Sequence, residues 1–335
     1  MTKMEMLDLK TAADRLNQLD HLLILTHVKP DGDAIGSALG MMTLLRENGK
    51  NADALLPEDV PAKYRSIAGN AYLTDPAQVD WAQYHAVLML DCAAQERCAL
   101  GNGGAIPAEM PVFCIDHHER NSVDAVWKWA EPSAAATCEM AVFLAEELHW
   151  SVSSAAATLL LLGMITDTGS FRFQNTSGSA LRAAAMLREW GADWDKVVNA
   201  VYYSKPRNQQ LLEAELLREH CQLSADGAYA WALLTPELLA KYEFDMRDGE
   251  HLIDLLREID TVKIAALLYL RGNDVRISLR SKDDRYPVFP VAQSFGGGGH
   301  RMAAGAFFAG SLTEAAEELR RNVEKYLKEP AGEGR

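Results

Sequence analysis

The sequence has few cysteines, and their spacing does not suit a structural framework. Its 335 residues contain five cysteines, an odd number without a Cys-x-x-Cys pair. Disulfide scaffolds and zinc ribbons need paired or closely spaced cysteines. The pattern argues against both, and we expect reduced thiols of the kind found in the cytosol.

Excess positive charge, long apolar runs, internal repeats and low-complexity tracts are absent as well. The net charge is −14, so the chain lacks the broad basic face that holds long duplex DNA, although a local site with its own metal can still bind a short nucleotide. The longest apolar run, Ala155–Ile165, is shorter than the roughly 20 residues of a transmembrane helix. Residues 1–10 contain no apolar signal core. These features predict a cytoplasmic protein that does not enter a membrane.

The first two thirds of the chain alternate between strand-like and helix-like segments. Short apolar runs predict strands at Ala52–Leu56, Ala86–Leu90 and Val112–Ile115, with another before His27. Helical spacing predicts helices at Leu7–Leu19, Ile35–Asn48, Thr137–Leu148, Gly178–Trp190 and Trp194–Tyr203, with Thr137 as a helix N-cap. Ala155–Ile165 fits helix or strand, and its alanine and leucine content favours helix. The alternation predicts an α/β domain whose parallel sheet carries helices on both faces.

The pattern changes after a break at Lys205–Asn208. Gln209–His220 is predicted to be a helix that connects two domains. The strand-like segments Tyr229–Leu234, Val262–Leu270 and Asp274–Ser281 follow, with hairpin turns at Ala225–Gly227 and Arg271–Asp274, and Leu312–Leu327 is predicted to be a closing helix. We therefore expect a parallel-sheet domain over residues 1–205, a linker helix over 206–222 and a smaller mixed-sheet α/β domain over 223–330.

Four segments of the first domain end an apolar run with aspartate or histidine. They are Thr26–Asp33 with His27, Asp31 and Asp33, then Asp91, then Asp116-His117-His118, and finally Asp167. Ligands of open α/β sheets bind beyond the carboxyl ends of the strands. We therefore expect these side chains to converge on one polar crevice, which is typical of a metal-dependent enzyme and indicates a phosphoesterase.

The first of these segments is a tight loop. Pro30 fixes one φ angle and Gly32 permits a positive one, so the loop can place three ligands close together. Taken alone, Asp31 and Asp33 fit equally well an acidic turn that merely caps the helix beginning near Ile35. The three other segments favour the metal-binding interpretation.

Phosphoester hydrolysis explains why these residue types would be needed. It requires a nucleophilic hydroxide and neutralisation of developing negative charge, and two divalent ions about 3.5–4 Å apart provide both. Mixed imidazole and carboxylate ligands suit Mn²⁺ better than Mg²⁺. Asp91 and Asp167 are candidates to bridge or support both ions. Asp116 is expected to orient a histidine, and His118 to contact phosphate or handle a proton.

Together these segments resemble the four motifs of the DHH phosphoesterase superfamily, named after Asp116-His117-His118. Gly296–His300 with Ala303-Ala304-Gly305 resembles the glycine-rich signature of the DHH-associated C-terminal domain. The resemblance covers nearly the whole chain, and the compact size is most similar to the branch of bifunctional oligoribonucleases and 3′,5′-bisphosphate (pAp) phosphatases.

This resemblance implies a Mn²⁺-dependent enzyme with two ions, for which Mg²⁺ or Co²⁺ could substitute. It would release mononucleotides from RNAs of a few nucleotides and convert pAp to AMP. The implied ligands of one ion are His27, Asp31, Asp91 and, less directly, Asp167. The implied ligands of the other ion are Asp33, Asp91, His117 and Asp167.

The resemblance also implies a substrate site in the second domain. Consecutive glycines let backbone N–H groups approach a phosphate, although a glycine run alone is more often a flexible loop. The implied binding residues for the end of the substrate are Arg280, Ser281, Gly298, Gly299 and His300, and the active site would lie in the cleft between the domains. Two alternatives stay open, a phosphodiesterase for cyclic or linear dinucleotides and an inactive nucleotide-binding regulator. A homodimer is expected only because dimers are common in general.

Overall fold

The computed structural model describes residues 4–56, 60–98, 100, 104–246, 249 and 251–328. The chain divides into two compact units, Met1–Ser204 and Lys205–Arg335. Each unit has a six-stranded sheet of its own. The predicted linker, residues 206–222, falls within the second unit, and the three-part division into 1–205, 206–222 and 223–330 stays a prediction.

The first unit is an α/β unit built on a parallel sheet. Its strands are β1 (Glu5–Met6), β2 (Leu22–Leu25), β3 (Ala52–Ala54), β4 (Ala86–Leu90), β5 (Val112–Asp116) and β6 (Trp127–Ala130). Its α-helices are α1 (Leu9–Gln18), α2 (Gly32–Glu47), α3 (Arg65–Ala68), α4 (Thr137–Glu147), α5 (Ser154–Asp167), α6 (Gly178–Glu189) and α7 (Trp194–Tyr202). The strand order is β1-β6-β5-β4-β2-β3, and every neighbouring pair is parallel.

The predicted parallel sheet is confirmed, but the edge formed by β1 and β6 differs from the prediction. Strands β1 and β6 were not predicted, since β1 has only two residues and both are exposed. The run Ala155–Ile165 lies in helix α5, as its alanine and leucine content favoured. Asp167 therefore ends a helix, and the apolar run that it closes is not a strand.

Both faces of this sheet are covered. Helices α2, α4 and α5 pack on one face in the larger core, together with strand residues such as Leu88. Residues such as Val87 and Met89 point to the other face, where short 3₁₀ helices and loops carrying Trp81 and Tyr84 close a smaller core. Helix α5 is buried all around, which explains why its sequence shows a continuous apolar run instead of a periodic one.

Helices α2 and α5 approach each other through glycines. A Cβ atom at Gly36 would meet the carbonyl oxygen of Leu159, and one at Gly163 would meet Cys138 and Asp33. Because the backbones touch here, the start of α2 and the end of α5 come together at the carboxyl edge of the sheet. The end of α5 carries Asp167.

The second unit is a mixed-sheet α/β unit. Its strands are β7 (Cys221–Leu223), β8 (Tyr229–Leu234), β9 (Ile264–Arg271), β10 (Asp274–Ser281), β11 (Gly298–Gly299) and β12 (Ala303–Phe308). Its α-helices are α8 (Arg207–Glu215), α9 (Pro236–Lys241), α10 (Leu252–Arg257), α11 (Phe289–Ser294) and α12 (Leu312–Lys328), with a π-helical turn at Leu216–His220 after α8. The order is β11-β12-β10-β9-β8-β7, and only β8 and β9 are parallel.

The predicted strands and hairpins of this unit are confirmed. Strands β9 and β10 are joined by a tight turn in which Gly272 has a φ of 66°, a value that favours glycine. The glycine-rich segment was not predicted to form a strand, yet Gly298 and Gly299 pair with Gly305 and Ala304. Helices α11 and α12 cover one face of the sheet, and α8, α9 and α10 cover β8 and β9 on the other face.

Among the described residues, no helix is both long enough and apolar enough to cross a membrane.

Candidate metal centre

The strand order of the first unit's sheet reverses between β2 and β4. From β2 the chain passes to β3 on one side, then crosses back to β4 and continues to β5 and β6 on the other side. Open α/β sheets bind ligands at such a switch point. His27 follows β2 by two residues, and Asp91 directly follows β4.

The carboxylate of Asp91 lies between two groups of side chains. Its Oδ2 atom is 3.6 Å from His27 Nε2, which is 3.9 Å from Asp31 Oδ1. Its Oδ1 atom is 3.5 Å from Nε2 of His117 on the opposite side. Asp91 is almost fully buried, and its backbone φ of 51° is in the left-handed region, which is uncommon outside glycine.

The second group gathers around His117. Its Nε2 atom lies 3.4 Å from Asp167 Oδ2 and 3.9 Å from Asp33 Oδ2. Three sets of residues each bring their potential ligand atoms within 4.8 Å of one another: His27 with Asp31 and Asp91, Asp33 with His117 and Asp167, and Asp91 with His117 and His118. All six predicted metal-ligating residues belong to one cluster.

Both inner histidines are oriented by backbone carbonyls. His27 Nδ1 lies 2.8 Å from the carbonyl oxygen of Val28, and His117 Nδ1 lies 3.3 Å from that of Ala134. A carbonyl next to Nδ1 favours a proton on that nitrogen, so in the neutral ring the Nε2 lone pair faces the carboxylates.

Asp33 also accepts hydrogen bonds at the start of helix α4. The backbone N–H groups of Thr137 and Cys138 donate to its two carboxylate oxygens at 2.6 and 2.9 Å. The prediction that Thr137 caps this helix is wrong. Thr137 is the first helical residue, its N–H needs an acceptor, and its hydroxyl lies 3.4 Å from Asp91 Oδ1.

The loop after β2 bends at a different residue from the one predicted. Lys29 has the positive φ, 55°, whereas Gly32 is the first residue of α2. Glycine is needed at position 32 for space, because a Cβ atom there would strike Thr166 of α5. Asp31 caps α2 by accepting from the N–H groups of Asp33 and Ala34, so it serves as a helix cap as well as being a candidate ligand.

Asp116 and His118 form a pair beside the cluster. His118 Nδ1 lies 2.7 Å from Asp116 Oδ1, and Asn121 Nδ2 donates to Asp116 Oδ2 at 2.7 Å. Asp116 belongs to none of the three ligand sets. With both oxygens engaged and the side chain buried, it can fix the orientation of His118, which is the role predicted for it.

The charges of the cluster act strongly on one another. Burial lowers the pKa of His27 and His117, but hydrogen bonds to Asp91 and the charges of nearby carboxylates outweigh it and raise the pKa to about 9 and about 10. Burial opposes ionisation of Asp91, yet the hydrogen bonds from His117 and His27 keep its pKa below the ordinary range. Burial and neighbouring carboxylates raise the pKa of Asp33 to about 7 and place the pKa of Asp167 well above its usual value.

These residues fit a pair of divalent cations. Four carboxylates converge with two imidazoles whose Nε2 atoms point inward, and burial together with the neighbouring carboxylates raises the pKa of Asp33 and of Asp167. Imidazole and carboxylate together suit first-row transition metals such as manganese. Asp91 has one oxygen toward each group and is therefore positioned to join two ions.

The predicted substrate residues of the second unit gather around a β-hairpin. Arg280 of β10 pairs with Ala303 of β12, and His300 N–H donates to the Ala303 carbonyl at 2.7 Å. Gly299 has a φ of 137°, a conformation that favours glycine. The buried hydroxyl of Ser281 lies near the carbonyl oxygens of Lys263 and Asp283. Substrate binding by Arg280, Ser281, Gly298, Gly299 and His300 stays a prediction.

Sequence reasoning missed residues that support the site. Asn121 holds Asp116, Thr137 contacts Asp91, and Asn175 donates to the carbonyl oxygens of Ala135 and Asp167. None of the three is part of an acidic or histidine-rich motif, and polar side chains in loops are too common to be singled out from spacing.

The fold and the site define a class of two-unit proteins, with an aspartate-histidine cluster on a parallel sheet and a glycine-rich hairpin on a mixed sheet. Residues 21–164 match the DHH family, N-terminal domain, and residues 230–329 match the DHHA1 domain. The chain belongs to the DHH family.

Curated relatives span nearly the full length of the chain. One from Thermus thermophilus, named bifunctional oligoribonuclease and PAP phosphatase NrnA, is 31% identical over 307 residues, which cover 91% of this chain and 90% of the relative. A protein of the same name from Bacillus subtilis is 28% identical, covering 86% and 89%. A crystal structure of an exopolyphosphatase-related protein from Bacteroides fragilis superposes with a TM-score of 0.87 at 25% identity, covering 95% and 96%.

Proposed function

We propose that this chain is a metal-dependent phosphoesterase that releases mononucleotides from RNAs of a few nucleotides and removes a phosphate from pAp to give AMP. The observation that carries the proposal is the Asp91 carboxylate, with one oxygen toward His27 and the other toward His117. The names of the two relatives described above supply the substrate class.

In this proposal the two cations are Mn²⁺, with Mg²⁺ or Co²⁺ as substitutes. His27, Asp31 and Asp91 would hold one, joined by Asp167 as the family resemblance implies. Asp33, Asp91, His117 and Asp167 would hold the other. Such ions neutralise the charge that develops on phosphorus-bound oxygens and acidify a water molecule.

The remaining residues would orient and hold the reacting groups. Asp116 and Asn121 keep the His118 ring in one orientation, so that this imidazole contacts the phosphate or passes a proton to the departing oxygen. The carbonyls of Val28 and Ala134 keep His27 and His117 turned toward the carboxylates.

The second unit would hold the end of the substrate. Arg280 can contact a phosphate through its guanidinium. The backbone N–H groups of Gly298 and Gly299 can approach the same phosphate because no side chain intervenes, and His300 adds an imidazole. A fixed binding site for the end of the substrate would favour short chains over long ones.

A substrate panel tests the proposal. The purified chain is given 5′-phosphorylated RNA dimer through pentamer, pAp and a cyclic dinucleotide, each with Mn²⁺ and with EDTA. We expect mononucleotides from the RNAs and AMP from pAp, only with the metal. A clear preference for the cyclic substrate would instead indicate a cyclic-dinucleotide phosphodiesterase, and tight pAp binding without any hydrolysis would indicate a regulator.

His300→Ala separates the two parts of the site. We expect a higher KM for a dinucleotide with unchanged metal content, because His300 belongs to the unit that lacks the metal cluster. An unchanged KM would remove His300 from substrate binding.

A further inference from the structure

The sheet of the second unit carries an exposed aromatic side chain between two arginines. Phe307 of β12 is 47% exposed. The guanidinium carbon of Arg276 lies 5.0 Å from the centre of its ring, and that of Arg271 lies 5.9 Å away. Scattered exposed apolar residues are ordinary, but an exposed phenylalanine with two stacked guanidiniums is a more specific arrangement.

Strand register places all three side chains on one face. Arg276 pairs with Phe307 on β12 and with Tyr269 on β9, two residues before Arg271. Residues paired across strands share a face, as do residues two apart on a strand. The opposite face carries the core that contains Val275, so Phe307 and the arginines point away from that core.

A glycine makes room for this arrangement. A Cβ atom at Gly305 would collide with the guanidinium of Arg276. The absence of a side chain at Gly305 leaves room for the Arg276 guanidinium to lie across the strand next to Phe307. We call Arg271, Arg276 and Phe307 the arginine-phenylalanine platform.

The two platform arginines form no ion pair within the described part of the chain, although Asp274 pairs with Arg271 on the same face of the sheet. Neither guanidinium forms a hydrogen bond with another described residue, although the protein has a net charge of −14. By contrast, Arg257, Arg285 and Arg320 of the same unit each contact a carboxylate. An exposed aromatic ring flanked by two guanidiniums that form no ion pair matches the base and phosphate of a nucleotide.

The platform lies on the same face of the sheet as Arg280, a residue of the proposed binding site for the substrate end. Its member Arg276 is on the same strand as Arg280. Arg276 and Arg280 are four residues apart on β10, about 13 Å at the rise of a β-strand. On β12, the residues that pair with Ser278 and Arg280 are Gly305 and Ala303, so no large side chain of this strand lies between the two arginines.

We propose that the arginine-phenylalanine platform is a second nucleotide-binding subsite, where a base of single-stranded RNA stacks on Phe307 and its phosphates contact Arg271 and Arg276. This inference rests on the proposed function, because the RNA is the substrate whose end lies at Arg280 and His300. The platform would bind a different nucleotide of the RNA from the one at the hairpin. It therefore contributes to the binding of oligonucleotides but not of pAp, which has a single nucleoside.

Binding of RNA without turnover tests the platform. A 5′-phosphorylated RNA pentamer with a 3′ fluorophore is titrated with the full chain in EDTA, and pAp is measured as a competitor. We expect Phe307→Ala to raise the Kd of the pentamer about five- to a hundredfold, the range for loss of one stacked base. The Kd of pAp should stay within about twofold of the parental value. Phe307→Trp should keep the affinity, since it retains a stacking surface.

Salt dependence reports on the two arginines. Replacing both with glutamine should make the slope of log K against log salt shallower by about 1.4, from about 0.7 for each phosphate contact to a single strand. The matched control for Phe307→Ala is Leu270→Ala. Leu270 is also an exposed apolar residue, at 41%, but it pairs with Val275 and so lies on the other face of the sheet. Arg321→Gln on α12 controls for the loss of charge.

The possible results separate the platform from the enzyme activity. Unchanged pentamer binding in both the Phe307 and the arginine variants, or an equal loss for pAp, would overturn the platform even if the parent hydrolyses RNA with Mn²⁺. A parent that binds the pentamer through Phe307 but releases no mononucleotide would overturn the proposed hydrolysis alone. A parent that binds no RNA in EDTA would overturn the platform, while the proposed hydrolysis would still be decided by the substrate panel with Mn²⁺.

Discussion

Asp91 occupies the centre of the metal cluster, and its geometry is unusual for an aspartate. A left-handed backbone conformation costs on the order of 1–3 kcal/mol outside glycine. Its N–H still donates to the carbonyl of Ile115, which holds the turn against β5. The surrounding contacts thus keep Asp91 in a strained conformation that directs one oxygen to each histidine.

Asp91→Asn tests this position with little change in shape, since asparagine also tolerates the left-handed region. Mutating a residue that only hydrogen-bonds to a metal ligand typically lowers activity about 10- to 100-fold. We expect Asp91→Asn to lower the rate of hydrolysis by more than that and to reduce the number of Mn²⁺ ions bound per chain. Activity and metal content measured on the same sample check this. Asp124→Asn, at an exposed position, should change neither, and near-normal activity in the Asp91 variant would remove it from the bridging role.

Asp116→Asn probes orientation without removing a candidate ligand. An amide cannot accept from both His118 and Asn121 as the carboxylate does, so His118 would lose its fixed orientation. We expect kcat to fall about 10- to 100-fold while metal content stays at the parental level. If kcat were unchanged, His118 would not depend on Asp116; if metal were lost as well, Asp116 would belong to the metal-binding set.

Metal loading should release protons. The raised pKa values of His27 and His117, about 9 and about 10, mean that both rings are protonated at neutral pH in the metal-free chain. A cation needs the neutral imidazole, so Mn²⁺ affinity should rise with pH until those pKa values are reached. Calorimetry in buffers of different ionisation enthalpy measures the release, and its absence between pH 6 and 9 would contradict the protonation described here.

At the residue scale, the sequence revealed the groups that bear chemistry and not the groups that hold them. His27, Asp33, Asp91 and His117 follow apolar runs, and the sheet topology brings such ends together. Asn121 contacts Asp116 through a loop whose course is set by tertiary packing, so its role could not be predicted from spacing.

At the scale of elements, the site depends on how closely α2 and α5 approach. Helices with ordinary side chains pack with axes about 8–10 Å apart. Gly36 allows α2 to contact the backbone of α5 at Leu159 and Gly163. This contact determines how far Asp167, at the end of α5, lies from His117.

Gly36→Ala should therefore destabilise the fold. Alanine is the better helix former by about 1 kcal/mol, but its methyl group would meet the α5 backbone and overpacking costs about 1–3 kcal/mol. We expect a net loss of stability in urea unfolding. Gly178→Ala at the start of α6 is the control, because nothing lies within 4 Å of the added Cβ; equal behaviour of the two variants would refute the close contact.

The sequence predicted most elements of the two sheets. It predicted poorly those elements whose residues lack the periodicity or the composition typical of a helix or strand. Helix α5 lacks periodicity because all its sides are buried, so only its composition favoured a helix. Strand β11 is two glycines, and glycine carries no strand signal. The same composition indicated that Asp167 lies near the end of a helix, because Asp167 follows Ala155–Ile165 by two residues.

At the scale of the whole molecule, negative charge and a few local cationic groups together would favour short substrates. A net charge of −14 repels a long polyanion, while Arg271, Arg276 and Arg280 lie on one face of a single sheet. An RNA of a few nucleotides can interact with these groups without facing the rest of the acidic surface.

The most direct measurement of the central claim is a Mn²⁺ titration that follows metal stoichiometry and RNA hydrolysis together. We predict two ions per chain, with mononucleotide release from a 5′-phosphorylated RNA tetramer appearing only when both are bound and disappearing in EDTA. Full activity with one ion per chain, or activity that survives removal of all metal, would contradict it.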